Sequence, residues 1–255
     1  MDECTDKKVF KPWPLGWKAK IGIITPSQED GYVTYEFRKL CPDGVVTLTT
    51  RALGGNLTMN MLNRMREDAA YAAELLAVAE PDVITYEPTA ASFVLGVDGD
   101  RALIKEIQEK VGIPATTGAS AVAESLRFLG VKKMILYAPT TEEITMKSVN
   151  YFEDLGFEVS YHESLGEAIN NNIHRVTPWE LYSKVMKIYK SCPKVDGIFI
   201  SGACFRTLEM IETLEKDSGL PVVTTVVGNM FRCLQLAGVN DPVYGFGQLL
   251  EKPRL

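Results

Sequence analysis

The chain has 255 residues, 46% of them hydrophobic and 24% charged, with 27 Lys and Arg against 33 Asp and Glu for a formal net charge of −6. This is ample for a well-buried core in one large domain or two lobes, and it excludes disordered and collagen-like classes. The acidic balance argues against a nucleic-acid or anionic-membrane surface, which needs a basic patch, but leaves room for a local pocket for a small anion.

In chain order, residues 1–18 read as an N-terminal arm, with Trp13 and Trp17 as packing residues. Lys20-Ile21-Gly22-Ile23-Ile24-Thr25 has the length and apolar content of a buried strand, and Pro26-Ser27 ends it. Val45 to Thr50, rich in β-branched residues, predicts a second strand. After Gly54-Gly55, apolar residues at helical spacing predict a helix from Met59 to Ala79, stopped at Glu80-Pro81. Val83-Ile84-Thr85-Tyr86 predicts the third strand, Ala102 to Val111 a helix, and Ile113 to Gly118 a short strand. Alternating strands and helices point to a parallel sheet of βαβ units.

The chain then repeats itself. Lys20-Ile21-Gly22-Ile23-Ile24-Thr25-Pro26 returns as Lys133-Met134-Ile135-Leu136-Tyr137-Ala138-Pro139, 113 positions later, and Pro81-Asp82-Val83-Ile84 returns as Val195-Asp196-Gly197-Ile198, 114 positions later. Gly112-Ile113-Pro114 and Leu129-Gly130-Val131 return as Gly219-Leu220-Pro221 and Ala237-Gly238-Val239, at offsets of 107 and 108. The expected fold is therefore α/β, with two pseudo-symmetric lobes, each a parallel sheet flanked by helices, and the active site in the cleft between them. Residues 19–118 with 229–255 would form the first lobe and 119–228 the second.

Ligands of open parallel sheets sit beyond the carboxyl ends of the strands, where helix N-termini offer N–H groups. Four loops would then share one site: Thr25-Pro26-Ser27-Gln28, Glu87-Pro88-Thr89-Ala90, Ala138-Pro139-Thr140-Thr141 and Ser201-Gly202-Ala203-Cys204. Their hydroxyls and amides suit a carboxylate. The last loop lies in Ile198 to Thr207, where an apolar run meets small residues, a thiol and an expected helix start. Five cysteines without CxxC spacing argue against a disulfide framework or zinc cluster, and His162 and His174 are too few and too badly spaced for a metal site. No apolar run approaches the roughly 18 residues of a membrane span, and the opening Met1 to Lys8 lacks a secretory segment, so a cytoplasmic protein is expected.

Gly112-Ile113-Pro114-Ala115-Thr116-Thr117-Gly118-Ala119-Ser120-Ala121-Val122, Asp196-Gly197-Ile198-Phe199-Ile200-Ser201, the closing Tyr244-Gly245-Phe246-Gly247-Gln248-Leu249-Leu250 and the two-lobed repeat together resemble the aspartate/glutamate racemase superfamily. Within it they are most similar to the branch of arylmalonate decarboxylases and maleate cis-trans isomerases, over roughly Ala19 to Leu250. The resemblance implies a cofactor-free lyase or isomerase acting on a small carboxylic or dicarboxylic acid through an enolate-type intermediate. It also implies a cysteine at the tip of the third strand in one or both lobes and a first-lobe donor cluster that includes Thr89.

The sequence departs from that pattern. The cysteine slots fall on Pro88 and Gly202, Cys204 lies two residues beyond the second slot, and a Tyr found in many relatives is Thr140. Three accounts follow. A shifted loop brings Cys204 into the slot's volume; or Glu87, at an apolar strand tip where desolvation raises a carboxyl pKa, carries the proton; or the site binds a carboxylate without catalysis. An amino-acid or hydantoin racemase-like enzyme is the further alternative. Cys204 and Glu87 are thus the catalytic candidates, with Pro26, Ser27, Gln28, Pro88, Thr89, Ala90, Thr140, Thr141, Gly202 and Ala203 as substrate-binding candidates. Bland roles stand beside these: Cys204 as a small core residue, Glu87 as an ion-pair partner of Arg51 or Arg206, and the threonines as helix caps. Cys4, Cys41, Cys192 and Cys233 read as non-functional. No metal and no cofactor are expected, and the expected partner is a small carboxylate substrate, with no nucleic acid or membrane and with a homo-oligomer left open.

Overall fold

The apolar runs become the strands of two separate sheets. The computed structural model describes residues 15–26, 32–192 and 194–254. The first half runs β1 (Ala19–Thr25), α1 (Tyr32–Lys39), β2 (Val45–Arg51), α2 (Met59–Glu67), α3 (Ala69–Ala77), β3 (Val83–Tyr86), α4 (Thr89–Val111), β4 (Ala115–Thr117) and α5 (Gly118–Phe128). The second runs β5 (Lys133–Ala138), α6 (Glu142–Asp154), β6 (Glu158–Ser164), α7 (Asn170–Ile173), α8 (Pro178–Ser191), β7 (Gly197–Ile200), α9 (Ile211–Ser218), β8 (Val222–Thr224), α10 (Thr225–Leu236) and α11 (Gln248–Glu251).

All pairings are parallel, in the orders β2-β1-β3-β4 and β6-β5-β7-β8. The third strand of each lobe is wholly buried, which explains why β3 and β7 read as unbroken apolar runs. The repeat extends to individual hydrogen bonds. Asp82 accepts from the Lys20 amide at 2.7 Å, and Asp196 accepts from the Lys133 amide at 3.1 Å. Thr117 and Thr224, which end β4 and β8, cap α5 and α10 by accepting from the Ser120 and Val227 amides. The two capped helices pack on one another between the sheets, and Asn229 of α10 accepts from the Thr85 hydroxyl of β3 at 2.6 Å.

Two helices differ from expectation. The helix predicted over Met59 to Ala79 is two, because Asp68 at φ −87°, ψ −8° closes α2 and opens α3. The helix predicted from Ala102 begins at Thr89, and its first turns are set off by Gly96 at φ 69°, ψ 178°, which admits a kink without a Cβ penalty. Of the expected N-terminal arm only 15–18 are described, so Trp13 lies outside the described residues; Trp17 is exposed, with the Lys18 ammonium 5.1 Å from its ring.

Beyond the kink, fully buried Asp100 gathers three hydroxyls on Oδ2: Thr117 at 2.9 Å, Ser120 at 2.7 Å and Tyr151 at 2.9 Å. It thereby joins α4 to the start of α5 and, through Tyr151, to α6 of the second half. Burial and the neighbouring Asp100 charge push the Tyr151 phenol well above its ordinary pKa, so it remains a donor. Replacing Asp100 with Ala strands these donors, and the expected loss is about 3 kcal/mol or more, with a smaller loss for Asp100→Asn, which keeps an acceptor. Denaturant unfolding of the two variants checks this ordering.

Candidate active site

In a parallel sheet whose strand order reverses, the crevice opens beyond the carboxyl ends of the strands at the reversal. Here these are β1 and β3 in one sheet and β5 and β7 in the other. Residues at all four tips line a single cavity that encloses about 540 Å³ of empty space, mouth included. Matching backbone bonds set the tips: the Glu87 amide donates to Ile24 at 3.0 Å, and the Ser201 amide donates to Tyr137 at 2.8 Å. Glu87 and Ser201 therefore hold equivalent places, and Pro88 is the counterpart of Gly202.

The wall has two chemical halves. Glu87, Thr89, Thr140, Ser201 and Cys204 give it hydroxyl, carboxyl and thiol groups, with Pro26, Pro88, Ala90, Pro139, Gly202 and Ala203 between them. Facing them is an apolar half that the sequence reading missed, made of Val33 on α1, Leu57 ahead of α2, and Leu62 and Met65 one turn apart on α2. Their helical spacing marks Leu62 and Met65 as inward-facing, but spacing does not distinguish a core from a cavity wall. Thr141 lies outside the cavity wall; it occupies the N-cap position of α6 without a side-chain capping bond. Ser27 and Gln28 lie outside the described residues.

The expected helix start at Ser201 to Thr207 is instead a turn, and α9 begins only at Ile211. Gly202, at φ +92°, turns the chain away from a helical path, and the Phe205 amide closes the turn on the Gly202 carbonyl at 3.2 Å. Beyond Arg206, the amides of Thr207 and Leu208 donate to the carboxyl oxygen Oε1 of Glu36 at 3.1 and 3.3 Å rather than to a helix. A Cβ built on Gly202 would lie 2.6 Å from Pro139 Cγ and 3.5 Å from the sulfur of Cys204. The thiol of Cys204 is thus in van der Waals contact with the space that a side chain at position 202 would enter.

Cys204 is 9% exposed and Glu87 5% exposed. Glu87 Oε2 accepts from the Thr25 hydroxyl at 3.1 Å. Thr89 opens α4 one residue after the N-cap Pro88, and Thr140 shares a 3.0 Å hydrogen bond with Thr145. No Lys or Arg lines the cavity among the described residues; Arg206 turns outward to Glu209 at 2.9 Å. Cys41, Cys192 and Cys233 are thiols away from this cavity, and burial pushes Cys41 up to about 11 and Cys233 up to about 12, so neither is a thiolate near neutral pH. Cys4 lies outside the described residues. His162 Nε2 sits 2.9 Å from Glu142 at the surface, and no helix among the described residues is long and apolar enough to cross a membrane.

Two parallel α/β lobes meeting at a cavity of strand-tip hydroxyls, a thiol and a carboxyl define a two-lobed α/β protein with its candidate site at the strand tips. The family model of arylmalonate decarboxylase matches residues 21–250, and the chain belongs to that family. It is 26% identical over 234 residues to arylmalonate decarboxylase of Bordetella bronchiseptica, covering 91% of this chain and 96% of the relative. It is also 26% identical over 246 residues to maleate isomerase of Geobacillus stearothermophilus, covering 91% and 97%. In fold it is similar to a crystallised maleate isomerase from Pseudomonas putida S16 with maleate, at a TM-score of 0.87 and 22% identity over 93% of this chain and 99% of that one.

The contacts at Gly202 predict the outcome of filling that position. Gly202→Ala places a methyl group against Pro139 and holds an L residue at positive φ, at an expected cost of about 1–3 kcal/mol. Its denaturant midpoint should fall well below that of Ala203→Gly, which adds no atoms.

Proposed function

We propose that the cavity moves a proton at the carbon beside a carboxylate of a small carboxylic or dicarboxylic acid, through an enolate or enediolate-type intermediate, with the chain's own residues as acid and donors. The observation that carries this is the meeting of the Cys204 thiol and the Glu87 carboxyl, from opposite lobes, in one cavity lined by hydroxyls. Thr89, Thr140 and the amides near Ala203 and Cys204 hold the substrate oxygens. Donors aimed at developing oxyanion charge are typically worth about 3 kcal/mol each, so neutral groups suffice without a cation in the wall.

For a malonate-type acid, the bond to one carboxyl carbon breaks and carbon dioxide leaves. Its electron pair passes into the remaining carboxylate as an enediolate. The thiol of Cys204 then protonates the α-carbon, and solvent restores the thiol. Val33, Leu57, Leu62 and Met65 suit an apolar substituent on that carbon, which favours a substituted acid over an unsubstituted one. Glu87 is the second proton carrier to consider, because it is even more buried than Cys204 and stands at the corresponding strand tip in the other lobe. The unbridged thiols of Cys41, Cys192 and Cys233 support a cytoplasmic setting.

A thermal-shift screen against malonates, maleate, hydantoins and acidic amino acids identifies the ligand class. With a turned-over ligand, Cys204→Ala should lower kcat by about 10²-fold or more with little change in KM, the usual range for a general acid. A loss of that size in Glu87→Gln alone transfers the proton to Glu87. Full turnover in both variants refutes both assignments.

A further inference from the structure

The loop that carries Cys204 is held by a group outside the cavity. On α1 the residues Val33, Glu36 and Phe37, with Leu40 just past its end, are buried, and Glu36, in the middle of that apolar face, is completely inaccessible. Its Oε1 accepts three bonds: the Tyr32 hydroxyl at 2.9 Å, the Thr207 amide at 3.1 Å and the Leu208 amide at 3.3 Å. Its Oε2 is buried with no hydrogen-bond partner among the described residues. The two amides lie 171 and 172 positions along the chain, so the bonds cross from the α1 wall to the loop after β7. Between the end of β7 and Ile211 the loop is itself neither strand nor helix; its other tethers include the Gly202 amide donating to the Thr225 hydroxyl at 3.0 Å and the Thr207 hydroxyl bonded to that of Thr224 at 3.3 Å.

A buried carboxyl with one orphan oxygen is a poor way to gain stability, since an apolar residue would fill the space without that desolvation cost. We propose that Glu36 is a positioning residue, whose carboxyl group fixes the Cys204 loop across the lobes and so sets the thiol against the cavity. This rests on the proton-transfer role given to that loop above.

The protonation state matters to the anchor. Burial raises the Glu36 pKa to about 7 from an ordinary carboxyl value, against the lowering effect of the Thr207, Tyr32 and Leu208 hydrogen bonds and with a small further rise from the Glu209 charge. Around it, Tyr32 is itself held protonated by burial and by Glu36, and the Arg206 guanidinium lies 5.5 Å from the Tyr32 ring and pairs with Glu209. A carboxyl that takes up its proton more readily when buried than when solvated favours the closed loop in the neutral form. The anchor is therefore at full strength below the ordinary carboxyl range. It weakens as pH rises from there to about 7 and changes no further above it. Glutamine, neutral at every pH with an acceptor in place of Oε1, mimics the tight state.

Amide hydrogen exchange of Thr207 and Leu208 reads the anchor with no substrate present. In the wild-type protein their protection factors, corrected for intrinsic rates and referred to the Ile198–Ile200 amides of β7, should fall by more than about tenfold between pH 5 and pH 8. In Glu36→Gln they should stay at the pH 5 value throughout, and in Glu36→Ala they should be lost at both. A flat wild-type profile, or the same fall in Glu36→Gln, overturns the proposal even if Glu36→Ala does not fold. If no carboxylic acid is turned over by the wild-type protein, the proton-transfer role fails separately, while the amide profile still decides the anchor.

Discussion

Two backbone hydrogen bonds, from the Glu87 amide to Ile24 and from the Ser201 amide to Tyr137, fix where each lobe delivers its functional groups. Each stitches the end of the third strand to the end of the first at the reversal of strand order, so the chain leaves the two sheets at equivalent positions. Because α5 and α10 pack together between the sheets and Asn229 reaches Thr85, the two exits face one cavity. The rest of the site follows from what stands one or two residues past each stitch: Pro88 and Thr89 in one lobe, Gly202 and Cys204 in the other.

The lobes have diverged at those positions. Pro88 caps α4, which starts at once with Thr89, whereas Gly202 at positive φ turns the second exit into a loop that runs to Ile211 before a helix forms. A loop of that length, with its amides not taken up by a helix, needs other acceptors, and Glu36 supplies one from the opposite lobe. The turn brings Cys204 back against the space beside Gly202, so the thiol lies near the slot although the residue there has no side chain. The apolar half of the wall comes from α1, α2 and Leu57 ahead of α2, elements separate from the strand tips.

The repeat was legible because strand ends and turns carry short, strongly patterned signals: apolar runs ending in Pro, an Asp before the third strand, and Gly-Ile-Pro or Gly-Leu-Pro before the fourth recur at nearly fixed offsets. The four tip loops could be grouped into one site on that basis alone. What sequence could not show is contact between distant segments. Tyr32 to Lys39 mixes charged and aromatic residues, so Glu36 reads as one more surface charge until Thr207 and Leu208 are seen to bond to it. Asp98-Gly99-Asp100 has turn composition, which hid the middle of α4 and the role of Asp100 in joining it to α5 and α6. The helix expected after Ser201 failed because local composition does not reveal that Gly202 adopts positive φ.

The central claim is that this cavity transfers a proton to carbon. Proton NMR of a ligand from the binding screen, incubated with the protein in deuterium oxide, tests it most directly. The account predicts deuterium at the carbon alpha to the carboxylate, in recovered ligand or in product, at a rate lowered in Cys204→Ala or Glu87→Gln. A ligand that binds the wild-type protein yet gains no deuterium and gives no product would contradict it and leave a carboxylate-binding protein in its place.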